Sequence, residues 1–198
     1  MSKFLSIFII FFLCACGSDH SSSTDQVKSF QSTYQPEESG EFVIVGATVL
    51  TGAGQEYELG EVWVSNNKIV QSGVNLSYPI GIKKIDAKGK WITPGIIDIH
   101  SHMGVYPSPS LRSNSDGNEA IDPVTPHVWA EHSVWTQDTQ MPLALKGGIT
   151  TFHVLPGSAN LFGGRGVTLK NIWSRTVQGM KFPNAPYTLK MACGENPK

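Results

Sequence analysis

The sequence has no block of Lys or Arg, and its 15 basic and 16 acidic residues leave a formal net charge of -1. A nucleic-acid partner needs a basic face that displaces counterions from phosphates, so that class is set aside. Cysteine is equally scarce, three in 198 residues, and without a disulfide framework the fold has to rest on a packed core. Long apolar runs are missing too. The most apolar stretch, Phe4 to Leu13, is about 10 residues where a spanning helix needs roughly 20. What is present, 40% hydrophobic and 16% charged residues with 20 glycines, is the composition of a globular protein.

Lys3, the apolar run and the small residues up to Cys16 form a secretory signal pattern. Within it, Leu13-Cys14-Ala15-Cys16 resembles a bacterial lipobox. That resemblance implies cleavage before Cys16 and its lipidation. The mature chain would then be anchored to a membrane and face the periplasm. Gly17, rather than an aspartate, follows the cysteine, which points to the outer membrane. The alternatives are an ordinary signal peptide, or a metal site built from Cys14, Cys16 and His20 that lacks a second cysteine pair. Residues 1–16 are therefore read as signal. Residues 17–40, rich in Ser, Thr, Gln, Asp and Glu, bury too little apolar surface to offset ordering and read as a flexible tether.

From 41 to 91 the pattern is β. Phe42-Val43-Ile44-Val45 runs into Ala47-Thr48-Val49-Leu50, and Val62-Trp63-Val64 and Lys68-Ile69-Val70 flank a Ser65-Asn66-Asn67 turn. Asparagine tolerates the left-handed dihedrals of tight hairpins. With Lys83-Lys84-Ile85-Asp86 added, this is a small antiparallel unit. From 92 to 198 the rhythm changes to α/β. A β-branched strand ending in His100-Ser101-His102, expected to be buried on both faces, is followed by a polar loop (106–126) and a helix around His127 to Lys146. A strand from Ile149 to Leu155, a glycine-rich stretch and a strand near Tyr187 to Cys193 complete it.

Strand alternation places Asp98, His100 and His102 on one face at the strand's C-terminal end, where barrel active sites are built. Neutral imidazoles suit zinc, and Asp98 has the position to hydrogen-bond a ring N–H or a nearby backbone group. Two solvated surface histidines are the plain alternative. The run Ile85-Asp86-Ala87-Lys88-Gly89-Lys90-Trp91-Ile92-Thr93-Pro94-Gly95-Ile96-Ile97-Asp98-Ile99-His100-Ser101-His102 resembles the start of amidohydrolase-superfamily enzymes.

That resemblance implies a (β/α)8 TIM-type barrel preceded by part of a small β-sandwich. It also implies one or two divalent metals, zinc foremost, and a metal-activated water that hydrolyses a non-peptide C–N bond of a small molecule. His100 and His102 would be metal ligands. Family members add a carboxylated lysine or a glutamate as bridging ligand. Glu195 is the one residue offered for that role, a solvated loop carboxylate being its equal alternative. The general base has no assignable residue. Since a barrel of this kind needs about 250 residues, residues 92–198 have room for only about three strands. The chain is thus expected to be a truncated or split product needing a second chain for the rest, the other reading being a non-catalytic lipoprotein fragment or binding module.

Other residues carry weaker signals. His127 and His132 lie about 140 degrees apart on a helix and make a poor ligand pair. His153 is read as facing either the site or a helix. In Gly157-Ser158-Ala159-Asn160-Leu161-Phe162-Gly163-Gly164-Arg165-Gly166 the Gly-Lys-Ser/Thr ending of a phosphate loop is missing. A loop offering Arg165 to an anionic group, or simply a tight turn, are the readings left.

Overall fold

The computed structural model describes residues 29–197. The signal, Cys16 and the first part of the expected tether lie outside them. Two sheets carry the fold. In the first, β1 (Phe42–Leu50), β2 (Glu56–Ser65), β3 (Lys68–Gly73) and β4 (Lys83–Asp86) lie in the order β3-β2-β1-β4, with β5 (Trp91–Ile92) also on β1. The β2–β3 hairpin closes as expected. Ser65 pairs with Lys68, and Asn66 and Asn67 take φ values of 50° and 60°, the doubly left-handed geometry of a type I′ turn. The unit is not wholly antiparallel, because β4 and β5 run parallel to β1. Its core is Ala47, Val49, Val62 and Ala87, flanked by Ile44, Tyr57, Val64 and Ile92.

The chain leaves this sheet at Thr93-Pro94-Gly95, and the second sheet has the order β6-β7-β8-β9: β6 (Ile96–Ser101), β7 (Ile149–Val154), β8 (Phe162–Lys170) and β9 (Thr188–Met191). The β6–β7 pair is parallel, whereas β7–β8 and β8–β9 are antiparallel. This corrects the expectation of successive parallel strands. Residues 155–161 between β7 and β8 are too few for a parallel crossover, which takes about a dozen or more. Three strands, β6, β7 and β9, therefore point one way and β8 runs against them.

The glycine-rich stretch is strand rather than loop over much of its length. A side chain at Gly164 would stand 2.7 Å from the Val128 carbonyl, and one at Gly166 2.7 Å from the His153 ring. Bare backbone is what lets β8 lie this close to its neighbours. Phe152, Val154, Val167, Leu169 and Met180 form the core of this unit with Val105, Ala130, Val134 and Met141.

The single helix expected from His127 to Lys146 resolves into a 3-10 turn, Ala130–His132, and a short helix α1, Gln140–Lys146. Asp138 accounts for the break. Its buried carboxylate accepts from the backbone N–H groups of Gly104 (2.8 Å), Ser108 (3.0 Å) and Gln140 (3.0 Å), starting the helix there and tying it to the loop after β6. A second helix, α2, spans Val177–Met180.

Two further expectations change. Burial of β6 on both faces is not seen: Ile97 and Ile99 are 61% and 78% exposed, because β6 is the edge of its sheet with β7 as its ladder partner. The end of the presumed tether is docked instead of free. Thr33 N–H donates to the Gln178 carbonyl (2.9 Å), the Ser32 hydroxyl to the Lys181 carbonyl (2.6 Å), and Phe30 N–H to Glu131 (3.3 Å). Phe30 packs edge-on against His132, and Lys170 lies over the Tyr34 ring. Most of these contacts use backbone groups, which composition does not register.

Candidate functional site

His100 and His102 end β6 with ring centroids 5.2 Å apart and planes nearly perpendicular. The Nδ1–H of His102 is positioned to donate to the Leu155 carbonyl at 2.9 Å. In that tautomer the Nε2 lone pair remains for a ligand. His100 presents Nε2 to the Lys190 ammonium at 3.2 Å. The positive charge on Lys190, then burial, then His102 push the His100 pKa down, with Asp98 opposing. Burial also lowers the Lys190 pKa. Both groups are thus biased toward the neutral forms that can coordinate or react.

Asp98 serves backbone, not a ring. Its carboxylate accepts from the His100 N–H at 3.1 Å. The β6–β7 register slips between Asp98 and Ser101, where three residues on β6 are matched by two on β7. A bulge of this kind interrupts strict alternation between Asp98 and the end of the strand.

Lys190 was not among the residues singled out from the sequence. It pairs across the sheet with Gly164 and is buried, and β9 delivers its amine to His100. A lone lysine in Thr188-Leu189-Lys190-Met191 reads as solvated. A side chain at Gly163, next to the paired Gly164, would stand 3.5 Å from the Lys190 stem, and that neighbourhood is visible only in the fold. Glu195 lies exposed beyond β9. Among the described residues no group of three or more His, Cys, Asp or Glu side chains is placed to share a metal ion, so Glu195 does not complete a set with the two histidines.

His153 faces the same neighbourhood, and both its nitrogens have partners: Thr168 (2.9 Å) and Thr188 (2.6 Å). Its pKa is lowered by burial and by His100. The residues read as weak candidates lie elsewhere. Arg165 stacks over Trp129 at 4.5 Å, which commits it to packing rather than to an anion. His132 stacks on the same indole, and His127 is exposed.

Comparison with known proteins finds similarity to amidohydrolases and deaminases. No family model matches the chain. Amidohydrolase tasK of Hapsidospora irregularis is 35% identical over 159 residues, which is 74% of this chain and 16% of that protein. A 5-methylthioadenosine/S-adenosylhomocysteine deaminase of Symbiobacterium thermophilum is 35% identical over 121 residues, 56% of this chain and 27% of its own. The crystal structure of an amidohydrolase from Thermotoga maritima superposes with a TM-score of 0.72 at 40% identity, over 79% of this chain and 40% of that one. The chain spans less than half the length of each of these relatives.

Proposed function

This chain belongs to the amidohydrolase superfamily, and from that premise we propose that it contributes His100 and His102 to the divalent-metal site of a hydrolase acting on non-peptide C–N bonds of small molecules. The observation that carries this reading is the pair of imidazoles at the β6 terminus, one with its tautomer set by the Leu155 carbonyl and the other with its Nε2 3.2 Å from the Lys190 amine.

The donor set fits part of such a centre. Two neutral imidazoles suit zinc, which takes about four ligands. Lys190 is the better candidate than Glu195 for the bridging position, because its amine already reaches His100. As a free ammonium it has no lone pair. Loss of that proton, followed by attack of the neutral amine on carbon dioxide, gives a carbamate with release of a second proton and supplies an oxygen donor in the same place. A divalent ion bound here would supply an activated water and polarise the scissile group.

The remaining work falls to the chain's own residues. The Leu155 carbonyl orients His102, Asp98 holds the His100 backbone, and Thr168 and Thr188 hold His153. The rest of a (β/α)8 barrel, the later ligands and the general base would come from further polypeptide, in line with the exposed β6 edge and the share of each relative that this chain covers. Residues 41–91 would form part of the β-sandwich that precedes the barrel. Cys16 would carry the lipid that holds the protein on the periplasmic side of the outer membrane. The second reading, a non-catalytic module derived from such an enzyme, is favoured by one fact, the lack of a three-ligand group among the described residues.

Zinc content tests the proposal. Protein recovered from its native membrane is expected to carry bound zinc that the His100→Ala/His102→Ala double variant loses, with circular dichroism unchanged. Equal zinc in both proteins would refute the assignment.

A further inference from the structure

We propose that His153 is a positioning residue, which pins β9 in register on the glycine-rich β8 and thereby places Lys190 beside His100. The inference rests on the reading of His100 and Lys190 as site groups and adds to it the device that brings them together.

β9 needs such a device. It is a short strand, Thr188–Met191, and β8 is its one ladder partner among the described residues. The part of β8 that it pairs with runs Phe162-Gly163-Gly164-Arg165-Gly166. Register is specified by side chains packed on a buried face, and a glycine-rich strand offers few of them, so it is prone to slip. The pairing is already irregular between Phe162 and Gly164. A slip of one residue would turn Lys190 to the opposite face, and a slip of two would carry it about 7 Å along the sheet.

His153 supplies the missing constraint. It pairs with Thr168 across β7 and β8, and Thr188 pairs with Gly166 across β8 and β9. Thr168 and Gly166 are alternate residues of β8, so His153, Thr168, Gly166 and Thr188 share one sheet face, together with Gly164 and Lys190. Gly166 leaves a trough in that face. A side chain there would stand 2.7 Å from His153 Nε2 and 2.9 Å from Thr188 Oγ1. The imidazole lies across the trough, with Nδ1 2.9 Å from Thr168 Oγ1 and Nε2 2.6 Å from Thr188 Oγ1. A hydroxyl both donates and accepts, so both bonds are made whichever nitrogen carries the proton. The ring is thus a strut that ties β9 to β7 past the strand between them. Thr188 and Lys190 lie on the same face of β9, and fixing the first fixes the second, whose Nζ stands 3.2 Å from His100 Nε2.

The test reads that contact itself, as the nuclear Overhauser effect between the Lys190 methylene next to the amine and the His100 ring. It uses the full-length chain stripped of metal by chelator and 13C-labelled at lysine and histidine. The two signals are identified by their loss in Lys190→Met and His100→Gln. Thr188→Val removes the hydroxyl at an exposed strand position that valine suits, and is expected to abolish the contact while the amide spectrum stays that of a folded protein. His153→Leu should abolish it as well. Thr188→Ser, which keeps the hydroxyl, should retain the contact, a rescue that a merely structural role of the residue 188 side chain would not give. The Thr188 pair decides the question even where His153→Leu does not fold. A contact absent from the parent, unchanged in Thr188→Val or His153→Leu, or lost equally in Thr188→Ser would each overturn the proposal. Because the protein is free of metal, the outcome is independent of the zinc measurement that decides the metal reading.

Discussion

Replacing Lys181 with methionine is expected to lower the stability of the chain by about 3–5 kcal/mol, the cost of leaving a buried charge without its partner. Glu131 and Lys181 are 4% and 7% exposed and form a direct ion pair that also takes in the Tyr187 hydroxyl. The same two side chains grip the backbone of Phe30, Glu131 accepting its N–H and Lys181 donating to its carbonyl. Loss of Lys181 should therefore do two things together: shift the urea midpoint down and expose residues 30–34 to protease under native conditions. The double variant Glu131→Gln/Lys181→Met, which removes both charges, should recover much of the stability but not the protection of the segment. A single variant within about 1 kcal/mol of the parent would mean that the pair is as weak as a surface ion pair.

Phe152→Ala is expected to cost a similar amount, about 3–5 kcal/mol, from lost burial plus the cavity left behind. Phe152 is fully buried in β7 among Leu169, Val167 and Met180. The next residue, His153, faces the candidate site, so β7 holds the core on one side and functional groups on the other. Ile99→Ala supplies the contrast. At 78% exposure its loss should change stability of this chain by no more than about 0.5 kcal/mol, although both residues are large and apolar and both lie in strands of the same sheet. Equilibrium unfolding of the two variants separates these cases. Equal effects would contradict the edge position of β6.

The parts legible in the sequence are those written in local chemistry. Asn66-Asn67 announced a hairpin because the backbone there needs two left-handed residues, and His100-Ser101-His102 stood out because it closes the run from Ile85 that resembles the start of amidohydrolase-superfamily enzymes. What alternation alone could not reveal is the slip in register between Asp98 and Ser101, which depends on the pairing with β7. Lys190 escaped for a related reason, since its place beside His100 depends on the pairing of β9 with β8. The glycines of β8 read as a loop because glycine usually weakens strands; here they allow close approach to Val128 and His153. The docked segment around Phe30 looked like a tether because its composition is polar, while its attachment is made largely by backbone groups reaching a buried ion pair.

Zinc K-edge X-ray absorption on the protein purified from its native host tests the central claim most directly, that His100 and His102 ligate a metal. The account predicts a nitrogen/oxygen shell at about 2.0–2.1 Å with the multiple-scattering signature of imidazole, absent from the His100→Ala/His102→Ala protein. A zinc shell without imidazole scattering, or one unchanged by the double substitution, would contradict it.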